Sequence, residues 1–306
     1  MRRSAAIVSL ALAIAACGKT SNIEPIAAGT TTFPLTVTAE NGAITIAKKP
    51  VRIVSLSPTA TEDLFAIGAG RQVIAVDDQS NYPPGVPTTK LSGFEPNVEA
   101  IATYKPDLVV FADDSHKLSA SFKALGIAAI LQSPPKDLSD AYKQLDVLGR
   151  VTDNRAGSAN VVTKMRRDIR SLVEDAPHFD RPPTYFHELS SDYFTATSST
   201  FIGTVYALLG LKNIADAADK AGTGYPQLSA EFIIQSNPSL IFLADTKCCS
   251  QTAETVAKRP GWDKIDAVTS GRVVALDDDV VSRWGPRIVD FLRTVENALK
   301  ALKKAA

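Results

Sequence analysis

The chain has 306 residues with 33 basic and 33 acidic side chains, a formal net charge of +0. Balanced, interspersed charge leaves no electrostatic footprint for nucleic acid, and 45% hydrophobic against 22% charged residues is a globular rather than a disordered composition. The length accommodates two domains of ordinary size.

The N-terminus reads as an export signal. Arg2 and Arg3 precede an apolar run from Ile7 to Ala16, shorter than the roughly 18–20 residues that span a bilayer. Ile14-Ala15-Ala16-Cys17-Gly18 resembles a bacterial lipobox, which implies that residues 1–16 are a lipoprotein signal peptide and that Cys17 carries the lipid. Residues 17–32, rich in Thr, Ser, Gly and Ala, read as a flexible tether. The mature chain is expected to be extracytoplasmic, held to the membrane by its acyl chains.

Residues 33–38 alternate apolar and polar, Asn41-Gly42 supplies a turn, and Ile44-Thr45-Ile46 resumes, which predicts a hairpin. Val51 to Leu56 predicts a buried strand. Ser57-Pro58-Thr59 opens a helix through Gly68, and Val73 to Val76 forms a second strand. Tyr82-Pro83-Pro84-Gly85 is a loop. A helix and strand follow within 96–113, then a helix at Leu118–Leu125 and a strand at Ile127–Leu131. From Leu138 the pattern is helical. Thr152-Asp153 reads as a capping pair for a long helix running to about Asp175, before Pro177. Pro182-Pro183 opens a second set: strands at Thr184–His187, Leu240–Ala244 and Arg272–Leu276, a helix at Phe201–Leu209, and an amphipathic helix from Pro286 to Lys304. Strands alternating with helices predict an α/β chain with parallel sheets.

One unit occurs twice. Residues 96–113 and 228–245 align without a gap: Glu99 matches Glu231, Ile101 matches Ile233, Pro106 matches Pro238, and Ala112-Asp113 matches Ala244-Asp245. A solenoid requires at least about three copies; two predict two similar lobes. The expected architecture is an N-terminal lobe at 33–150, an interlobe helix at 151–178 and a C-terminal lobe at 179–306, that is, two similar lobes joined by a single long helix with a ligand cleft between them. Ligands of such sheets sit beyond the carboxyl ends of the strands, where Asp113 and Asp245 fall on the two sides of the cleft.

The chain has no Gly-x-Ser-x-Gly elbow, phosphate loop or dinucleotide fingerprint. His116, His178 and His187 lack metal-helix spacing, so no metal site is expected. Asp113, Asp245 and Asp279 would be the cleft acids of an extracytoplasmic enzyme, but no nucleophile–base pair accompanies them, and the chain reads as no enzyme with no catalytic cofactor. Beyond Cys17 only Cys248 and Cys249 remain. An extracytoplasmic site permits a vicinal disulfide, and two free thiols are the alternative.

Arg52-Ile53-Val54-Ser55-Leu56-Ser57-Pro58-Thr59-Ala60-Thr61-Glu62, with Lys105-Pro106-Asp107-Leu108-Val109 after Asn97-Val98-Glu99, resembles the substrate-binding lipoproteins of the ABC importers for iron-siderophores, haem and cobalamin. The resemblance covers roughly residues 33–300, and is closest to the cobalamin-binding member. Ser80-Asn81-Tyr82-Pro83-Pro84, Gly224-Tyr225-Pro226-Gln227 and Asp279-Val280-Val281-Ser282-Arg283-Trp284-Gly285-Pro286-Arg287 carry it. It implies two Rossmann-like lobes joined by a single long helix, and ligand contacts from Tyr82, Phe94, Tyr225, Asp279 and Arg283. Phe94 and Tyr225 stand where larger rings are usual, and Asp113 where that member has another aromatic. Trp284 reads equally as a contact or as packing, and Trp262 as packing. The transported ligand is then cobalamin or a related corrinoid. The alternative is a ferric siderophore or haem, for which Lys117, Lys247, Arg283 and Arg287 are the available cations.

Glu99 and Glu231 each sit in the first turn of a helix, where the dipole favours an acid by about 0.3–1 kcal/mol. That accounts for one acid, not for two in one register. The resemblance implies that both dock onto arginines of the permease, a twofold dimer that offers two equal sockets and works with its own ATPase subunits. The protein itself is expected to be a monomer.

Overall fold

The computed structural model describes residues 30–305. The signal peptide, Cys17 and the tether as far as residue 29 lie outside the described residues.

Strands β1 (Leu35–Ala39) and β2 (Gly42–Ile46) pair antiparallel. Ala39 faces Gly42, so the turn is Glu40-Asn41, one residue earlier than the Asn-Gly signal predicts. The Asn41 side chain has another task. It donates to the Ala129 carbonyl at 3.0 Å and accepts from the Leu131 N–H at 3.1 Å. A side-chain amide thereby covers the free edge of a lobe-1 strand, which would otherwise expose unpaired backbone groups.

The first lobe contains β3 (Ile53–Leu56), α1 (Pro58–Ala66), β4 (Val73–Val76), α2 (Val98–Thr103), β5 (Leu108–Phe111), α3 (Leu118–Ala124) and β6 (Ala129–Leu131). Two antiparallel helices follow, α4 (Leu138–Val151) and α5 (Arg155–Glu174). The second lobe contains β7 (Thr184–Glu188), α6 (Phe201–Leu208), β8 (Lys212–Asn213), α7 (Ala230–Ser236), β9 (Leu240–Leu243), α8 (Thr246–Cys249), α9 (Ala253–Ala257), α10 (Asp266–Thr269), β10 (Val273–Ala275), α11 (Asp278–Val281) and α12 (Ile288–Ala305). Both sheets are parallel, with strand orders β4-β3-β5-β6 and β10-β9-β7-β8. Counted within each lobe, both orders are 2-1-3-4. The repeated unit supplies the third strand of each, β5 and β9.

The two copies are built alike in detail. Asn97 caps α2 by accepting from Ala100 N at 2.8 Å, and Ser229 caps α7 by accepting from Phe232 N at 3.1 Å. Each helix ends at a left-handed residue, Lys105 at φ 49 and Asn237 at φ 42, followed by a proline that cannot extend it. The strands that follow are buried on both faces, as parallel strands between helical layers must be.

Alternation along β5 and β9 sorts the core into three clusters. Val109 and Phe111 face an outer layer with Ile101 and Phe122, and Ile241 and Leu243 face another with Ile233 and Trp262. Val110 and Phe242 face a third cluster, which holds Met165 and Ile169 of α5 and Phe291 of α12 and runs through both lobes without a break. The lobes share one apolar core.

The bridge differs from its sequence reading at its start. Thr152 closes α4, donating its hydroxyl back to the Leu148 carbonyl at 2.7 Å, and Asp153 turns left-handed at φ 59. Helix α5 begins at Arg155 with no side-chain cap. Ser, Thr and Asp bond local backbone at either helix end, so the pair marks a helix boundary without fixing which helix it serves. Gly157 then lets α5 cross the end of α1: a Cβ there would stand 1.9 Å from the Ile67 carbonyl oxygen.

Candidate functional site

The carboxyl ends of the strands carry the exposed rings. Among the described residues the exposed large aromatics are Tyr82 (41%), Phe94 (76%), Phe194 (44%) and Tyr225 (48%). Tyr82 and Phe94 lie on the loop after β4, Phe194 on the loop after β7 and Tyr225 on the loop after β8. An isolated bridge between Phe194 and Gln227 ties the last two loops together.

Phe194 was not read from the sequence. Tyr193, at φ 67, stacks on Trp262 with centroids 5.6 Å apart, which leaves the next ring facing outward. The available signal was an aromatic pair, Tyr193-Phe194, in a segment with neither strand nor helix period. Tyr82 itself lays its ring over the Arg287 guanidinium, 4.2 Å from the centroid. With Phe65, Lys164 and Pro286 it lines an interlobe cavity of about 430 Å³.

Asp279 and Arg283 come together at the lobe boundary and reach lobe 1. Arg283 is 6% exposed. Its Nη1 donates to Glu62 Oε1 (2.8 Å) and Asn81 Oδ1 (2.9 Å), and its Nη2 to the Gln79 carbonyl (3.1 Å) and Asp279 Oδ1 (2.9 Å). Glu62, on α1 and 2% exposed, also accepts from Arg287 Nε at 2.8 Å. Asp279 accepts from Asn81 Nδ2 at 3.1 Å and from Lys247 Nζ at 2.8 Å. Partial burial works to raise the Asp279 pKa, but the hydrogen bonds from Lys247 and Asn81 and the Arg283 charge outweigh it and hold the carboxyl below its ordinary value. Hydrogen bonds donated to Glu62 hold the Arg287 guanidinium above its own ordinary value, against its partial burial.

Other expected residues fall elsewhere. Trp284 is packed against the shared core, and its indole N–H donates to Gln144 Oε1 of α4 at 2.8 Å. Its one polar atom is spent on lobe 1, and its ring is half-buried. Trp262 is fully buried. Asp113 is exposed and accepts from the Ser115 N–H at 3.2 Å. Its counterpart Asp245 is buried, which corrects the expectation of matched acids on the two cleft walls. Asp245 lies against buried Glu188; burial first, then the Glu188 charge, push its pKa up to about 7. Glu188 is itself paired with Arg259 Nη1 at 2.6 Å, and the Arg259 guanidinium lies 4.6 Å from the Trp262 centroid.

Cys248 and Cys249 lie in α8, after β9, with their sulfurs side by side. The Asp278 carboxylate holds the start of that helix, accepting from the N–H groups of Thr246 (2.9 Å), Lys247 (2.8 Å) and Cys248 (3.0 Å). His187 is buried with Nδ1 2.8 Å from the Tyr206 hydroxyl, and burial pushes its pKa down to about 3, so it stays neutral. Among the described residues no group of three or more His, Cys, Asp or Glu is placed to hold a metal ion. No described helix is long and apolar enough to cross a membrane.

Glu99 and Glu231 are both exposed in the first turns of α2 and α7. Glu99 borders a surface groove of about 770 Å³ shared with Asn97, His116, Ser121 and Leu125, the last 54% exposed.

Comparison with known proteins identifies the family. Residues 53–280 match the family described as periplasmic binding protein. A Bacillus subtilis protein named as an uncharacterized ABC transporter substrate-binding lipoprotein is 32% identical over 96% of the chain and 95% of its own length. A cobalamin-binding protein of Halobacterium salinarum is 29% identical over 87% of the chain and 74% of its own. The crystal structure of the periplasmic vitamin B12 binding protein of Vibrio cholerae superposes with a TM-score of 0.72 at 26% identity, covering 84% of this chain and 99% of that one. The chain belongs to the periplasmic binding protein family: it is a substrate-binding protein of an ABC transporter, not an enzyme.

Proposed function

We propose that the protein captures cobalamin or a related corrinoid between its lobes and delivers it to an ABC permease dimer, from a lipid anchor at Cys17. The observation that carries this reading is the placement of the exposed rings: Tyr82, Phe94, Phe194 and Tyr225 all stand on loops beyond the carboxyl ends of the strands. A corrin is a broad, partly apolar disc, and rigid aromatic side chains cover such a face at low entropy cost. Its rim bears amides, which need paired donors and acceptors, and Arg283 and Asp279 supply one of each at the lobe boundary. Glu99 and Glu231 serve as the docking acids, and the protein acts as a monomer. The Cys248–Cys249 pair acts as a vicinal disulfide that stiffens the loop bearing Lys247.

Calorimetric titration of the mature chain with cyanocobalamin tests the reading. One-to-one binding in the submicromolar range is expected. Absence of both heat and thermal shift would reject the corrinoid and move the question to ferric siderophores and haem.

A further inference from the structure

We propose that the Asn81 side chain is a built-in occupant of a primary-carboxamide subsite formed by Asp279 and Arg283, and that ligand binds there by displacing it. The inference deepens the corrinoid reading above and rests on it for the identity of the ligand.

Asn81 belongs to lobe 1 and the pair to lobe 2, so the contact spans the cleft. Its Oδ1 accepts from Arg283 Nη1 at 2.9 Å, and its Nδ2 donates to Asp279 Oδ2 at 3.1 Å. The orientation of the amide follows from its partners, since a guanidinium only donates and a carboxylate only accepts. A charged donor and a charged acceptor, side by side, therefore grip both ends of one carboxamide.

The grip does not depend on Asn81 for its own geometry. Arg283 is fixed by Glu62 at 2.8 Å and by the Gln79 carbonyl at 3.1 Å. Asp279 is fixed by Lys247 at 2.8 Å and by Arg283 itself at 2.9 Å. Withdrawal of the exposed Asn81 side chain leaves both groups in place and presents the same pattern to a ligand. A ligand carboxylate would satisfy Arg283 but meet the like charge of Asp279. An amide satisfies both, with its NH2 toward Asp279 and its C=O toward Arg283. The subsite selects amide-bearing over acid-bearing rims.

An internal competitor lowers apparent affinity by the fraction of time it holds the site. Two hydrogen bonds to charged groups must be exchanged, so mature Asn81→Ala is expected to bind cyanocobalamin about 5- to 30-fold more tightly than the mature wild-type protein. Weaker binding by the variant would make Asn81 a ligand contact and overturn the proposal.

A second measurement does not require a corrinoid. In Asn81→Ala the Arg283 Nε–H resonance should move at lower concentrations of acetamide than of acetate, and in wild type acetamide should move it less. Acetamide-selective movement together with no cyanocobalamin binding by wild type would retain the subsite and reject the corrinoid. No difference between acetamide and acetate in the variant would overturn the subsite itself.

Discussion

Removal of the Glu62 carboxylate should destabilise the whole protein, not one lobe. Glu62 is 2% exposed and lies between two guanidiniums of the other lobe, with Arg283 at 6% and Arg287 at 16% side-chain exposure. Breaking a buried ion pair from one side costs about 3–5 kcal/mol, because the partner charge is left buried. In Glu62→Ala, Arg283 keeps Asp279 and the Gln79 carbonyl, so its charge stays compensated. Arg287 keeps the face of Tyr82 at 4.2 Å, an interaction of about 0.5–2 kcal/mol. The expected loss is therefore at the lower end, about 3 kcal/mol, or a fall in Tm of about 6–12 °C for a chain of this size. Lys143→Ala is the control: its pair with Asp140 is 72% and 35% exposed, and such surface pairs contribute about 0–1 kcal/mol. Urea unfolding followed by tryptophan fluorescence and by circular dichroism gives both values. The shared core predicts one coincident transition for the two probes. A Glu62→Ala loss no larger than that of Lys143→Ala, or two separate transitions, would refute the interlobe account.

Asp245 makes stability depend on pH in a stated direction. A carboxyl whose pKa is raised in the folded chain, here to about 7, holds its proton more tightly folded than unfolded. Its contribution is full below the unfolded value of about 3.9 and is lost as pH rises toward the folded one, at up to about 1.4 kcal/mol per pH unit. Asp245→Asn should therefore flatten the decline in stability between pH 4 and 7 measured against wild type, and an unchanged slope would show an ionised, solvated Asp245. Glu99→Ala combined with Glu231→Ala should leave ligand affinity intact and cut uptake by cells; normal uptake in the double variant would remove docking from the reading. Alkylation under non-reducing conditions followed by mass spectrometry should label neither Cys248 nor Cys249, and two labelled thiols would exclude the disulfide.

The features legible in the sequence are those set by short-range pattern. The alignment of 96–113 with 228–245 anticipates two lobes, and the structure gives those units equivalent places in sheets of the same 2-1-3-4 order. β4 spans Val73–Val76, as its apolar run predicts. Strand order is not written in any local run, because it is fixed by which faces the helices cover. Arg283 shows the same limit: its motif marks it as a cleft residue, yet its Glu62 partner is 221 positions away, so its burial and its four partners emerge only on folding. Trp284 likewise meets its partner Gln144 140 positions away. Asp245 carries the same local sequence as Asp113 and differs from it because Glu188 and Arg259, from distant segments, converge on the carboxyl end of β9.

That divergence has a direction. On α2 and α7 the two lobes keep one acid, one capping geometry and one left-handed ending before proline. At the ends of the following strands they separate: Asp113 stays exposed while Asp245 is buried against Glu188. Duplication alone predicts that both pairs drift at similar rates. A twofold partner demands equivalent points on its two sides, whereas a ligand held at one edge by Asp279 and Arg283, as proposed above, makes no such demand on the two cleft walls. Glu99 and Glu231 thus match where a symmetric permease would require it, and Asp113 and Asp245 differ where an asymmetric ligand would permit it. On the proposed reading the chain meets two partners of different symmetry, and the docking variants and the Asn81 variant probe the two contacts independently.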